Sequence, residues 1–365
     1  MNYFFRRSVH VVLALPLLLI GSQCLAVQIT NVSHEPAMFD PQKSETMLLR
    51  FRNSDQAQVT VKMFDGRDLL IRTVVDNKSY PAGEHEINWD GKDEAGVLVP
   101  PEAYHYTIEA VGNDGQKTEY DLTDLTGSDP IETEGVQWDA DSKQIQYVLR
   151  KPSRINIRIG LDNDGPLLRT IYNWVPRTSG LQKEPWDGMD QSGVLDLSKH
   201  PRRYITVLAY ELSENTILVG PRSSEVKLIQ QLPWGKVKRV PKKTHAKHMY
   251  KHSEQPIETR RDVQIHLFLP ESLPKSSEGL PILTGMVPVR MDVADKDRAM
   301  IVNSRYEPGF YIDGQFAWEN EVGFLPMTWV LNTETINEGI HYVTANLLGY
   351  EGNFGVATIK ILVKH

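Results

Sequence analysis

Two copies of one turn-forming sequence decide the fold of this chain. Trp89-Asp90-Gly91-Lys92-Asp93-Glu94-Ala95-Gly96-Val97-Leu98 returns as Trp186-Asp187-Gly188-Met189-Asp190-Gln191-Ser192-Gly193-Val194-Leu195, 97 residues later. Upstream, Leu70-Ile71-Arg72-Thr73 corresponds to Leu168-Arg169-Thr170. Downstream, Tyr106-Thr107-Ile108-Glu109-Ala110 corresponds to Tyr204-Ile205-Thr206-Val207-Leu208-Ala209. Blocks that recur in one order indicate an internal repeat.

Each copy carries the pattern of short antiparallel strands. Gln58-Val59-Thr60-Val61-Lys62-Met63-Phe64 alternates apolar and polar residues and then meets Asp65-Gly66, a strong hairpin signal. The stretch 105–111 alternates again and places three apolar residues on one face, namely Tyr106, Ile108 and Ala110. Short strands with a turn signal every 8–12 residues, roughly, are typical of a β-sandwich. The sequence therefore predicts an all-β fold of tandem antiparallel sandwiches.

The motif order resembles the FlgD-type immunoglobulin-like domain, the module named for the flagellar hook-capping protein. The resemblance covers about residues 29–112 and 144–212. In the first copy the matching residues are Arg72, Gly83, Trp89, Asp90, Gly91, Asp93, Gly96, Tyr104 and Tyr106. In the second they are Arg169, Gly180, Trp186, Asp187, Gly188, Asp190, Gly193 and Tyr204. The second copy departs from the pattern at 195–201. The resemblance implies a fold and not an activity, because this module is attached to many unrelated exported proteins.

Strand patterns resume near the carboxyl end of the chain. Val289-Arg290-Met291-Asp292-Val293 alternates, and Asp313-Gly314 is a second hairpin signal. This region is similar to bacterial Ig-like domains of secreted proteins. We predict five segments, which are a signal peptide (1–26), two FlgD-like sandwiches (27–112 and 113–230), a basic linker (231–261) and a bacterial Ig-like sandwich (262–365).

The amino terminus has the three parts of a secretory signal. Arg6 and Arg7 precede an apolar run of about ten residues at 11–20, and small residues lead to Ala26. The run is too short to cross a bilayer of about 30 Å as a helix. Cys24 lacks the flanking residues of a lipobox, so we expect cleavage after Ala26 and no lipid anchor. We predict a periplasmic or extracellular protein with no transmembrane segment after signal removal.

The formal net charge is −7. Removal of the signal would take away Arg6 and Arg7 and bring the charge to −9. An acidic chain is poorly suited to neutralise phosphates, so we expect no nucleic-acid partner. The single Cys cannot form an internal disulfide and excludes multi-Cys zinc sites.

Two carboxylates in each Trp-Asp-Gly-x-Asp turn allow two interpretations. They could hold Ca²⁺ together with nearby carbonyl oxygens. They could instead accept hydrogen bonds from backbone amides while the tryptophans fill their cores. We favour the turn interpretation, also for Asp162-Asn163-Asp164-Gly165, and predict no metal and no cofactor. The structural motif then consists of Trp89, Asp90, Gly91, Asp93, Gly96, Trp186, Asp187, Gly188, Asp190 and Gly193.

A basic stretch interrupts the acidic chain before the third sandwich, with no acid before Glu254. Its cations are Lys236, Lys238, Arg239, Lys242, Lys243, Lys247 and Lys251. One interpretation is a solvated linker between domains. Another is an electrostatic contact with an acidic partner, an anionic lipid or a cell-wall polymer. A third interpretation is metal binding by His245, His248 and His252. No acidic residues that would orient these histidines are apparent in the sequence, which counts against this interpretation.

No recognisable catalytic motif is present. The sequence contains neither a Gly-x-Ser-x-Gly elbow, a His-Glu-x-x-His pair, a P-loop nor a Rossmann glycine pattern. We therefore predict no catalytic residues and a non-catalytic structural or assembly protein of the bacterial cell envelope or an extracellular complex. Its Ig-like domains would serve as spacers and protein-docking modules. The alternatives are a glycan- or peptidoglycan-binding module that stacks sugars on Trp138, Trp174 or Trp234, and a hydrolase with an unfamiliar site.

Overall fold

The computed structural model describes most of the chain outside the amino terminus and the basic segment. The described residues are 26–123, 125–221, 262–302, 305–349 and 352–365. Of the predicted signal peptide they include only Ala26. Three hydrophobic cores form, each between two β-sheets. The predicted all-β sandwich architecture is therefore confirmed.

The first sandwich begins with eight strands. These are β1 (Ile29–Glu35), β2 (Met38–Phe39), β3 (Met47–Asn53), β4 (Ala57–Phe64), β5 (Leu70–Tyr80), β6 (Gly83–Trp89), β7 (Glu102–Gly112) and β8 (Lys117–Tyr120). One sheet has the order β1-β3-β6, and the facing sheet contains β7-β4-β5 with β8 on the other side of β7. Val59, Val61 and Met63 of β4 are at most 1% exposed, as the alternation predicts.

The second sandwich repeats this plan. Its strands are β9 (Pro130–Ile131), β10 (Glu134–Asp139), β11 (Gln144–Leu149), β12 (Ser153–Leu161), β13 (Leu167–Arg177), β14 (Gly180–Pro185) and β15 (Arg203–Glu211). The sheets have the orders β10-β11-β14 and β13-β12-β15-β9. Ile155, Ile157 and Ile159 of β12 are fully buried, in the places of the apolar residues of β4.

A strand that follows the second sandwich returns to the first. Strand β16 (Thr216–Val219) pairs antiparallel with Glu102–His105 of β7 and parallel with Met38–Phe39 of β2. All four of its residues are buried. The predicted second domain, 113–230, includes this strand, whereas the structure places it in the sheet of the first sandwich. The repeat could not show this, because β16 lies outside the matching blocks.

The pairing register also corrects one correspondence of the repeat. Tyr106 lies opposite Met63 in the first sandwich, and Ile205 lies opposite Ile159 in the second. The structural counterpart of Tyr106 is therefore Ile205, whereas the sequence alignment matched it with Tyr204. Successive strand residues point to opposite faces, so a shift of one position exchanges inside for outside. Tyr106 is 1% exposed and Tyr204 is 60% exposed.

The third sandwich contains eight strands and one short helix. These are β17 (Ile265–Phe268), β18 (Ile282–Leu283), β19 (Met286–Val293), α1 (Asp295–Val302), β20 (Tyr306–Ile312), β21 (Gln315–Glu319), β22 (Met327–Asn332), β23 (Gly339–Gly349) and β24 (Phe354–Val363). The sheets have the orders β17-β19-β22 and β18-β24-β23-β20-β21. The predicted Asp313-Gly314 turn connects β20 and β21, and both turn residues have positive φ.

Candidate functional site

The Trp-Asp-Gly-x-Asp turn of the first sandwich is held by its own side chains. The Trp89 indole is buried, and its Nε1 donates to the carbonyl oxygen of Lys92 at 2.9 Å. The Asp93 carboxylate accepts the backbone N–H groups of Ala95 and Val97, both at 2.9 Å. Asp90 accepts from Arg72 at 2.8 Å. Both carboxylates of the motif thus bind donors within the turn or on the neighbouring strand.

The second sandwich reproduces this network with one extra residue. Trp186 donates to the carbonyl oxygen of Met189 at 2.9 Å, and Asp190 accepts the N–H groups of Val194 and Leu195 at 2.8 and 3.0 Å. The N–H of Asp93 donates to the carbonyl of Val97 at a spacing of four residues. The N–H of Asp190 donates to the carbonyl of Leu195, at a spacing of five.

The glycines of the motif are required by backbone conformation. Gly91, Gly96, Gly188 and Gly193 all have φ between +69° and +86°. A Cβ on Gly91 would lie 2.8 Å from the Pro41 side chain. Among the described residues, no group of three or more His, Cys, Asp or Glu side chains is arranged to hold a metal. The turn interpretation accounts for the geometry of the motif residues.

A cleft of about 390 Å³ lies where the three sandwiches meet. Its lining includes residues 170–177 of β13, residues 218–221 at and after β16, and residues 262–264 before β17. Side chains of all three sandwiches line this cavity. The polar groups in it were not identified from the sequence.

Asp262 links the second and third sandwiches across this cleft. Its Oδ1 accepts from Asn173 Nδ2 at 3.0 Å and from the backbone N–H of Phe354 at 3.1 Å. Asn173 in turn accepts from Asn156 Nδ2 at 3.0 Å. Burial raises the pKa of Asp262, while the nearby Arg158 guanidinium, at 3.7 Å, opposes that shift.

Arg158 completes the cluster on β12. Its guanidinium lies 3.6 Å from the ring centroid of Phe354 and donates to the carbonyl oxygen of Gly352 at 3.1 Å. Among the described residues, Asp262 thus interacts with the Asn173 amide, the Phe354 backbone N–H, the Thr170 side chain and the Arg158 guanidinium. These contacts join the second and third sandwiches.

Two further contacts fix the third sandwich on the second. The Asn346 side chain accepts the Leu167 N–H at 2.8 Å and donates to the Leu167 carbonyl at 2.7 Å. The side-chain amide thus pairs with both backbone groups of Leu167, as a neighbouring strand would. The Thr358 N–H donates to Ser192 Oγ at 2.8 Å. Asn346 is 2% exposed and Thr358 is 3% exposed, so both contacts are shielded from water.

A buried ion pair joins the first and second sandwiches. Arg154 of β12 and Glu102 of β7 have side chains that are 2% and 5% exposed, and Arg154 donates to Glu102 Oε1. Arg154 also donates to the carbonyl oxygen of Trp174 at 3.4 Å. A charged pair at this depth is stable only when both partners are present.

The tryptophans proposed as sugar platforms have other packing partners. Trp138 packs against Trp186 with an interplanar angle of 59°, and the Arg203 guanidinium covers it at 4.8 Å. Trp174 packs against Tyr210 at 57°. These tilted aromatic pairs do not form a coplanar sugar-stacking face. Trp234 lies outside the described residues.

The predicted basic docking segment, 236–252, also lies outside the described residues, so its role stays a prediction. In the described part of the chain, no helix combines the length and apolar character needed to cross a bilayer.

A comparison with known families supports the FlgD-type resemblance of the first sandwich. The family model of the FlgD Ig-like domain matches residues 42–114. The second FlgD-like copy and the bacterial Ig-like domain stay predictions. A comparison with curated proteins gave no match.

Several solved structures share weak similarity with the chain. The fibronectin(III)-like modules of Clostridium thermocellum CbhA are 12% identical, cover 93% of this chain and 94% of theirs, and give a TM-score of 0.20. A structure concerned with host cell surface retention of a bacterial ice-binding adhesin is 10% identical, covers 93% and 98%, and gives 0.18. An endo-beta-1,4-mannanase from Thermotoga petrophila is 20% identical, covers 32% and 23%, and gives 0.22.

Proposed function

We propose that this chain is an exported, non-catalytic structural or assembly protein of the bacterial cell envelope or an extracellular complex. The observation that carries the proposal is the set of buried polar contacts that fix the three sandwiches against one another. These contacts are Arg154–Glu102, Asn173–Asp262 and Asn346–Leu167. The polar groups of these residues hold the three sandwiches in one arrangement.

Directional contacts of this kind support a docking role. A sheet face packed by apolar area alone can slide, whereas buried hydrogen bonds and ion pairs are satisfied in one orientation. Fixed domains keep their outward surfaces at constant spacing, which lowers the entropic cost of binding a large partner. Large apolar side chains are exposed on strands of the second and third sandwiches, including Leu181, Phe268 and Phe316.

The basic segment 236–252 is proposed as an additional contact. Seven cations without an intervening acid would attract an acidic protein or an anionic surface or polymer over about a Debye length of 8–10 Å. Export through the amino-terminal signal would deliver the chain to such partners in the periplasm or outside the cell.

Cross-linking in native envelopes, followed by capture of the full chain, tests the proposal. We expect discrete protein partners, fewer of which are retained when the seven cations of 236–251 are replaced by Gln. Purified peptidoglycan sedimented with the chain is the parallel assay. Retention on peptidoglycan with no protein partner would support the glycan-binding alternative, and release of soluble fragments would support a hydrolase.

A further inference from the structure

The two repeated sandwiches differ at one sheet edge. In the first, the outer edge of β7 is covered by β16 at Glu102–His105 and by β8 at Ile108–Val111. In the second, the equivalent edge of β15 is paired with β9 only at Ala209 and Tyr210. Within the described ranges, no strand pairs with the outer edge of β15 from Arg203 to Leu208.

The covered edge of β7 shows which backbone hydrogen bonds an additional segment supplies. The Tyr106 N–H donates to the carbonyl oxygen of Asn215 at 3.2 Å, and the Tyr106 carbonyl accepts from Asn215 Nδ2 at 2.8 Å. Asn215 immediately precedes β16 and is fully buried. Both backbone groups of Tyr106 are therefore satisfied by the strand that returns from beyond the second sandwich.

The backbone of Ile205, the counterpart of Tyr106, points towards the open edge. Alternate residues of a strand direct their N–H and C=O groups to the same side. The Val207 carbonyl accepts from Thr133 Oγ1 at 3.1 Å, and Ala209 pairs with Ile131 of β9, so the odd-numbered residues face outward. Ile205 belongs to this set, and no described strand pairs with it on that side.

A cleft of about 570 Å³ runs beside this edge, between β10 and β15. Trp138 lines it, and its Nε1 is buried without a hydrogen-bond partner among the described residues. Tyr204 and Leu208 border it and are 60% and 46% exposed. An edge with open backbone groups, apolar side chains and room beside it is suited to an added strand.

We propose that the outer edge of β15 accepts one extended apolar strand of a partner protein, as β7 accepts β16. The inference rests on the proposed docking function and names the partner's chemistry. The occupant is an Asn followed by two β-branched residues. In the first sandwich Asn215, Thr216 and Ile217 lie opposite Tyr106, His105 and Tyr104. The counterparts of this edge in β15 are Ile205, Tyr204 and Arg203. Residues at alternate positions would enter the cleft beside Trp138.

Amide hydrogen exchange on the full chain tests the inference with a synthetic probe peptide. The peptide has the sequence of residues 213–220, Ser-Glu-Asn-Thr-Ile-Leu-Val-Gly. In the free chain we expect the Ile205 amide to exchange at least about tenfold faster than the Tyr106 amide, because it lacks an edge partner. The peptide should slow exchange at Ile205 and leave Tyr106 unchanged.

Two N-methylated peptides provide matched controls that leave the protein unaltered. Ile217 pairs with Tyr104 across the β7 edge, whereas the Leu218 N–H points the other way and donates to Ala37. Methylation at the Ile position should weaken binding at least about tenfold, since it removes a hydrogen bond and adds a clash. Methylation at the Leu position should leave affinity within about threefold.

The inference is overturned if Ile205 is already as protected as Tyr106 in the free chain. It is also overturned if the peptide gives no protection, or if both methylated peptides bind equally. A cross-linked envelope partner recovered alongside any of these results would preserve the docking function and remove only this surface. Absence of any protein partner, with peptide binding intact, would count against the proposed function instead.

Discussion

Replacing Arg154 with Met should destabilise the contact between the first two sandwiches by about 3–5 kcal/mol. The pair buries both charges, with Arg154 2% and Glu102 5% exposed. Removing the guanidinium takes away the ion-pair partner of the buried Glu102 carboxylate, which keeps the N–H of Ala103 as a hydrogen-bond donor. The main cost is the lost compensation of a buried charge. Adding Glu102→Gln to Arg154→Met should recover at least about 2 kcal/mol, since the remaining group is then neutral.

Urea unfolding at pH 7 measures this effect. For a slope of about 2 kcal/mol/M, the single variant should lower the transition midpoint by about 1.5–2.5 M. Arg50→Met is the matched control, because Arg50 contacts Glu35 and Glu86 at the surface with a side chain 44% exposed. We expect little change in its midpoint. Equal midpoints for Arg154→Met and Arg50→Met, or a double variant no better than Arg154→Met, would refute the argument.

Three further predictions follow from the turns and the junction cleft. Trp89→Ala and Trp186→Ala should each cost about 3–5 kcal/mol of unfolding free energy in calorimetry, since both indoles fill cores; a marginal change in melting would place them outside. Gly91→Ala should cost at least about 1 kcal/mol more than Gly96→Ala, because both have positive φ but only Gly91 has Pro41 against its Cβ position; equal melting temperatures would contradict this. Burial raises the pKa of Asp262 in the folded state above 3.8, its ordinary value. The protonated carboxyl therefore contributes its full stability below pH 3.8, and this contribution is lost as the pH rises through the raised pKa. Asp262→Asn keeps the Oδ1 acceptor and should raise the melting temperature at pH 7 relative to wild type but not at pH 3; the same difference at both pH values would contradict the assignment.

Much of the strand pattern was accessible from the sequence because alternation reports burial on one face. Val59, Val61 and Met63 were predicted to share a face and are buried together. The turns were also accessible, because Asp-Gly and Trp-Asp-Gly sequences require particular backbone angles and local carboxylate acceptors.

The polar junction could not be predicted by the same rule. Arg154-Ile155-Asn156-Ile157-Arg158-Ile159 alternates cleanly, and the rule assigns its polar residues to solvent. In the structure that face is covered by the other sandwiches, so Arg154 and Asn156 are at most 2% exposed. Which domain covers a polar face is set by tertiary packing, and one strand's sequence carries little information about it.

Strand exchange was hidden for a related reason. Thr216-Ile217-Leu218-Val219 is apolar throughout and predicts a buried strand, but it does not say in which sheet. The paired residues lie 111–117 positions upstream on β7 and 180 positions upstream on β2. The shift from Tyr204 to Ile205 was hidden because one inserted residue leaves similarity intact while it reverses the faces.

Site-specific photo-cross-linking in native envelopes tests the docking account most directly. A photoreactive phenylalanine replaces Leu208 at the open edge or, as a control, Phe268 in the third sandwich; both side chains are 46% exposed. The account predicts a protein cross-link at position 208 that decreases when the 213–220 peptide is present, with no peptide effect at position 268. Absence of a protein cross-link at position 208, or a cross-link there that the peptide does not decrease, would contradict it.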